Sequence, residues 1–338
     1  MTVVHLERII AAMKLRIATR KSALAMAQSQ WVAQQLRALD STLEVELLPM
    51  TTVGDRVLDR SLNEIGGKGL FVSEVEDAVL QGRADLAVHS LKDMPAQLAD
   101  GLILAAVPLR EDPRDVLVST DGAQLDDLEA GSRIGTNSLR RTLQLRRLRN
   151  DLDYAMLRGN VNTRLAKLEA GEYRAIVLAY AGLRRLELHK RPLAALSIET
   201  SVPAVGQGAL AIEAKEADTE ICALLKRIED PKTRACIEAE RAFLIALGGD
   251  CNTPLAGHAR FEYSSNNLRF DGLVGSVDGR EVVRAGSGVY LQATADMDEQ
   301  GRNLGREVAA SILEQGGAVL VQAAKTLASE KLDPRKLT

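Results

Sequence analysis

Aromatic side chains are scarce in this chain, at 3% of 338 residues with a single tryptophan. Few rings are therefore offered for bases to stack on, which argues against a reader of single-stranded nucleic acid. Cysteine is as sparse. Cys222, Cys236 and Cys251 form an odd set with no CxxC spacing, and only four histidines accompany them. Such usage supports neither a zinc site nor a disulfide framework, so no metal is expected and a reducing compartment fits. No apolar run approaches the roughly 18 residues of a membrane span. The apolar stretch Ile9–Ala12 follows Glu7 and Arg8 and is too short for a signal peptide, so residues 1–12 read as an extension before the first strand. Charge of one sign is missing too. A formal net charge of -3 means that any anion binding has to come from local clustering.

What is present is the balance of a packed protein, 46% hydrophobic and 26% charged residues, in a chain long enough for two or three domains. Short apolar or alternating runs are followed repeatedly by helical patterns. Leu15–Ala18 reads as a strand, with a helix from about Ala23 to Leu39 after it, and Leu43, Val45 and Leu47 mark a half-buried strand. Val72, Val75 and Val79 mark a helix, and Asp85–Val88 a buried strand. The alternation resumes at Arg133–Thr136, with a helix from about Leu139 to Arg149 and a strand at Tyr154–Leu157. A helix at Val161–Ala170 and a strand at Ala175–Ala179 follow. Strands alternating with helices predict two doubly wound α/β domains, with ligands beyond the carboxyl ends of the strands. After about Pro231 the texture changes to a helix at Arg234–Leu247, a hairpin turning at Asp278–Gly279 and late helices broken at Gly316–Gly317. These read as a smaller α+β domain.

Arginine density is the strongest local signal. Arg133, Arg140, Arg141, Arg146, Arg147, Arg149, Arg158 and Arg164 fall in one stretch that holds no lysine and only Asp151 and Asp153 as acids. Arginine without lysine points to bidentate recognition of carboxylate or phosphate. Ser138, Arg140 and Arg141 follow a strand and open a helix, where free backbone N–H groups favour an anion. Arg158 ends the next strand, and Arg164 lies in the following first turn. Arg20 and Ser22 hold the equivalent turn of the first unit. Arg146, Arg147 and Arg149 read instead as a solvated helix face.

Lys92 and Asp93 sit just beyond the Asp85–Val88 strand. They fit either a cation and a carboxylate facing a cleft, or a surface ion pair with a helix-capping aspartate. His89 reads as a packed strand-end histidine. Gly66-Gly67-Lys68-Gly69 lacks the remaining residues of a nucleotide phosphate loop and reads as a mobile flap. Cys251 lies in the glycine-flanked turn Gly248–Pro254, open to a role as nucleophile, as attachment point or as a silent residue. Asp250 beside it disfavours the thiolate. Cys222 and Cys236 fall in helical patterns and read as buried.

Six segments, in order, resemble the porphobilinogen deaminase (hydroxymethylbilane synthase) family: Arg16–Ala25, Gly66–Phe71, Ala84–Pro95, Gly135–Arg141, Leu157–Leu165 and Val202–Ala209, with the Cys251 loop completing the set. The resemblance covers Leu15 to about Ala259 and weakens beyond. It implies two periplasmic-binding-protein-like α/β domains, at 13–109 with 209–228 and at 110–208. A third, smaller α+β domain at 229–338 would carry the cysteine. It also implies a transferase with a dipyrromethane cofactor, joined by a thioether to Cys251. Lys92, Ser138, Arg140, Arg141, Arg158 and Arg164 would hold the cofactor. Arg20, Ser22, Phe71 and Arg185 would meet the incoming porphobilinogen, and Asp93 would be the catalytic carboxylate. Glu64, Ser73 and Asp250 depart from the family's common pattern around the flap and the cysteine. The expectation is a cytosolic monomer acting on porphobilinogen, with no nucleic acid and no membrane as partner. Two other classes stay on the table, a solute-binding or ligand-sensing protein and a nucleic-acid binder using the arginine block.

Overall fold

The structure, a computed structural model, describes residues 14–52, 72–249, 253–262, 265–276, 278–292 and 296–331. It is an α/β fold with two five-stranded sheets, followed by a smaller α+β unit. The first sheet begins with β1 (Lys14–Arg20), α1 (Ala23–Leu39) and β2 (Glu44–Met50), then α2 (Ser73–Leu80), β3 (Leu86–Ser90) and β4 (Leu102–Ala106). Its strand order is β2-β1-β3-β10-β4, in which β10 (Leu210–Lys215) arrives late in the chain and runs antiparallel to both neighbours. The second sheet uses β5 (Asp115–Ser119), β6 (Arg133–Gly135), β7 (Asp153–Ala155), β8 (Ala175–Ala179) and β9 (Leu193–Ala195), in the order β7-β6-β8-β5-β9. Here β5 is the antiparallel member. Both sheets therefore share one plan, a parallel core that accepts the strand arriving from the other sheet.

Burial explains why these runs are strands. In β3 every residue but Ser90 is buried, and in β5 all five are. Covered on both faces, such strands read as continuous apolar runs. Helices α3 (Leu139–Leu148), α4 (Val161–Glu169) and α5 (Tyr180–Arg185) connect the second sheet, and α6 (Thr219–Lys226) follows β10. Side-chain caps start α1, α3 and α4. Ser22 Oγ accepts from Ala25 N–H, Ser138 Oγ from Arg141 N–H, and Asn160 Oδ1 from Thr163 N–H. The β7 strand stops at Ala155, short of the expected Leu157, so Arg158 stands in the loop before α4 rather than at a strand end.

The last unit packs α7 (Pro231–Leu247) and α8 (Met297–Ile312) on an antiparallel sheet of β11 (Leu255–Phe261), β12 (Asn267–Gly275) and β13 (Val282–Tyr290). The β12–β13 hairpin turns around Gly279, as the Asp278-Gly279 pair predicts. A wide turn at Leu313–Gly317, with Gly316 at φ 95°, separates α8 from α9 (Ala318–Lys331).

Helices α7 and α8 lie backbone to backbone. A Cβ on Gly301 would stand 2.5 Å from the Ala235 carbonyl oxygen, and one on Gly305 would overlap the Ala239 carbonyl oxygen. Backbone cannot step aside as a flexible side chain can, so Gly305→Ala is expected to destabilise the protein by about 2 kcal/mol or more, read as a lower urea midpoint.

Candidate active site

Every site residue expected from sequence that falls in the described part lies at or just beyond the carboxyl end of a strand. Arg20 closes β1 and Ser22 caps α1; Lys92 and Asp93 occupy a single turn of 3-10 helix directly after β3. Ser138, Arg140 and Arg141 open α3 after β6, Arg164 lies in the first turn of α4, and Arg185 ends α5 after β8. Phe71, Cys251, Asp250, Glu64 and the Gly66–Gly69 flap lie outside the described residues.

One cleft between the two sheets collects four of these groups, and Arg20, Ser22, Asp93, Ser138, Arg140 and Arg158 are not among its lining residues. Lys92, Arg141, Arg164 and Arg185 line it together with Gln28 and Ser90, Leu24 and Val161, and the backbone of Gly206 and Gly208. Gln28 and Ser90 were not singled out from the sequence. Gln28 Nε2 donates to Ser90 Oγ at 2.7 Å, tying α1 to the end of β3. The signal for Gln28 was there, a polar residue on the buried stripe of α1. The chain passes back to the first sheet tightly against the Lys92 turn. Gly206, at φ 72°, would place a Cβ 3.0 Å from Lys92 N and against Leu91, and Gly208, at φ 90°, would press one into the Glu111 carbonyl. Only glycine fits such positions.

The cleft holds more positive charge than its own walls neutralise. Lys92 is half-buried, and loss of solvent pushes its ammonium down to about 8; Asp93 pulls it up and Arg141 down. Burial lowers the Arg164 guanidinium to about 10, with Arg141 adding to the fall and Asp93 opposing it. Burial also lowers Arg185 to about 10, against the pull of Glu111. Arg164 Nε donates to the Gly159 carbonyl at 2.7 Å and Arg185 Nη2 to the Gly208 carbonyl at 2.7 Å. Among the described residues, Lys92, Arg164 and Arg185 have no carboxylate at salt-bridge distance. Three desolvated cations aimed into one space call for an anionic ligand with several carboxylates. Asp93 itself is exposed, next to Lys92 in the chain and close enough to act electrostatically on Lys92 and Arg164.

Other expectations resolve differently. Arg140 is buried behind the cleft, its Nη1 and Nη2 at 2.7 and 3.2 Å from the two oxygens of Asp115. Arg158 Nε lies 3.1 Å from Met156 Sδ, in the loop before α4. Arg146 and Arg147 are exposed as a solvated face requires, but Arg149 is not part of it. Its guanidinium donates to the carbonyls of Leu125 and Leu128 and pairs with Asp151 at 2.7 Å, because the helix ends at Leu148 and turns this side chain back over the loop. Cys236 is buried, whereas Cys222 is only half-buried. His89 is buried, with Nε2 3.0 Å from Glu213 Oε2. No group of His, Cys, Asp and Glu among the described residues could hold a metal ion. No helix among them is long and apolar enough to cross a membrane.

A two-lobed α/β fold with a lysine, three arginines and an aspartate gathered between the lobes defines a protein that grips a small polyanion. The chain belongs to the porphobilinogen deaminase family. Residues 15–223 match the family model described as porphobilinogen deaminase, dipyromethane cofactor binding domain, and residues 234–314 match that of its C-terminal domain. It is 50% identical over 309 residues to a porphobilinogen deaminase of Xylella fastidiosa, covering 91% of this chain and 98% of the relative. It is 47% identical over 302 residues to that of Syntrophotalea carbinolica, covering 89% and 93%. Among solved structures, a putative methionine-binding lipoprotein from Bacillus subtilis overlaps 64% of this chain and 89% of its own at 13% identity and a TM-score of 0.40, too loose to bear on fold or function. The cofactor is dipyrromethane, and the unneutralised cations of the cleft suit its carboxylated side chains.

A carboxylated ligand in the cleft favours the charged form of Lys92. The amine of Lys92, followed by NMR after 13C reductive methylation, is expected to titrate near 8 in the cofactor-free protein and higher once the cofactor is loaded. An unchanged midpoint on loading would place the carboxylates elsewhere.

Proposed function

We propose that this transferase condenses four molecules of porphobilinogen head to tail on a dipyrromethane primer and releases hydroxymethylbilane, a linear tetrapyrrole, by hydrolysis. The observation that carries this reading is the convergence of Lys92, Arg141, Arg164 and Arg185 on one cleft beside Asp93, in a chain of this family. Each porphobilinogen brings an acetate and a propionate, so the growing chain accumulates carboxylates that need many guanidinium forks. Lys92, Arg141, Arg164, Arg158 and Ser138 hold the cofactor's carboxylates, while Arg20, Ser22, Phe71 and Arg185 receive the incoming substrate. Cys251 anchors the cofactor through a thioether. When bound, the dipyrromethane would supply the free terminal pyrrole carbon to which the first ring is joined, each later ring joining the one added before it.

Asp93 does the recurring work. Loss of ammonia from the aminomethyl group of porphobilinogen leaves a cationic pyrrole methylene whose ring N–H is strongly acidic. A fixed carboxylate stabilises that cation, and its oxygen can hold the pyrrole proton and return it as the new bond forms. The electrostatic pull of Asp93 on both Lys92 and Arg164 supports a location within reach of the ligand those cations hold. Sheet membership supports domain limits of 13–109 with 209–228, 110–208 and 229–338.

Intact mass tests the reading directly. Purified protein should exceed its sequence mass by two pyrrole units, give a colour with Ehrlich's reagent, and gain pyrroles stepwise on incubation with porphobilinogen. Asp93→Ala is expected to lower turnover by about 1000-fold or more while the two-pyrrole adduct remains; activity near wild type would sink the mechanism. Cys251→Ser should lose the adduct, and Cys222→Ser and Cys236→Ser should keep it.

A further inference from the structure

Arg140 and Arg141 are neighbours on α3, and both are buried. Two adjacent guanidiniums out of water repel each other unless a carboxylate stands between them. Asp115 does so. It opens β5 and has no exposed surface. Its Oδ1 accepts from Arg141 Nε at 3.0 Å and Nη2 at 2.8 Å, from Arg140 Nη2 at 3.2 Å and from Gln207 Nε2 at 2.8 Å. Its Oδ2 accepts from Arg140 Nη1 at 2.7 Å and from Ser201 Oγ at 2.8 Å. Burial alone would raise this carboxyl; Arg140 and Arg141 override it and hold it far below the usual carboxylate range.

The two arginines are not equivalent in this arrangement. Arg140 Nη1 also donates to the Val202 carbonyl at 2.8 Å, which turns that side chain toward the returning crossover. Arg141 lines the cleft, and its Nη1 donates to the Val177 carbonyl at 3.0 Å. Three of its five N–H donors are thus fixed on protein acceptors, and one remains on each Nη for a ligand. A planar fork held on three bonds cannot rotate, so the direction of the remaining donors is set before the ligand arrives.

We propose that Asp115 is a positioning residue that presents Arg141 to the cofactor's carboxylates, with Arg140 as its counter-ion behind the cleft instead of a second reader of the ligand. This rests on the reading of the cleft as the cofactor site. It accounts for a buried acid at the start of a strand whose next three residues, Val116–Val118, are apolar and buried, a feature that neither the packing of the sheet nor the chemistry at Asp93 requires.

The test measures cofactor loading instead of turnover. Cofactor-free protein is incubated with rising porphobilinogen, and the fraction carrying the two-pyrrole adduct is read by intact mass, alongside the thermal midpoint of the cofactor-free form. Asp115→Asn and Arg141→Gln are each expected to raise the half-loading concentration by about tenfold, and the double variant by no more than Arg141→Gln alone. Loading of Asp115→Asn at the wild-type concentration, or effects that multiply in the double variant, would overturn the proposal. So would a lowered thermal midpoint with unchanged loading, the mark of a purely structural carboxylate. If Asp115→Asn does not fold, Ser201→Ala carries the test, since it removes one donor to the same carboxylate; a rise of about threefold supports the role and wild-type loading refutes it. Wild-type protein that never gains pyrroles would defeat the cofactor reading instead, and the two failures are distinct.

Discussion

The arrangement of the three sheets depends on one buried carboxylate. Glu240, on α7, has no exposed surface, yet three other segments of chain reach it. Arg110, on the outgoing crossover, gives it Nη1 at 2.6 Å and Nη2 at 3.2 Å, and Gly206 N–H, on the returning one, donates at 2.6 Å. Ala259 N–H, on β11, donates at 2.9 Å, and His258 Nδ1 lies 3.3 Å away. Burial would raise the Glu240 carboxyl, but Arg110 and His258 hold it down to about 2. A carboxylate depressed from 4.5 to about 2 adds stability that is fully present at neutral pH and is lost as pH falls toward 2. Buried pairs of this kind are weak sources of net stability, because desolvation opposes the attraction. Removing one partner leaves a bare charge and is far costlier.

The placement of the cleft follows from that junction. Both crossovers between the sheets pass it, and both also reach Asp115, through Gln207 and Ser201 on the return and through the start of β5 on the way out. Gln207 bridges the two, its side chain on Asp115 and its carbonyl accepting from Arg110 Nε at 2.8 Å. The Lys92 turn is gripped from the opposite side, where Arg241 on α7 donates to the carbonyls of Pro95 and Ala96. Cations in the cleft are therefore set by the same contacts that set the lobes.

Much of this was legible in the sequence because it is local. A strand followed by a capping serine and a helix is written in consecutive residues, so Ser22, Ser138 and the arginines of α3 could be placed at strand ends before any coordinates. The hairpin at Gly279 and the break at Gly316 were legible for the same reason, since a positive φ leaves a glycine in the sequence. The partnerships of Asp115 and Glu240 were not legible. Their donors come from 19 to 130 residues away, and nothing local separates an arginine that lines the cleft, such as Arg141, from its neighbour Arg140 that meets a buried acid behind it. Arg149 misled for a related reason, since its exposure depends on which way the chain leaves the helix. The roles of Asp93 and Cys251 came from family resemblance and not from spacing.

The position of β10 has a consequence for the ribosome. This strand sits between β3 and β4, which therefore cannot complete their ladders with each other. A chain emerging from its amino end must wait, after Ala106, until Lys215 has been made. At about 5–20 residues per second that is on the order of 10 s during which the first sheet has a gap and two unpaired edges. The second sheet has no such wait, because β5 to β9 are contiguous in the chain. The second lobe can thus mature first and serve as the platform on which the earlier-made lobe closes, reversing the order in which the two were synthesised.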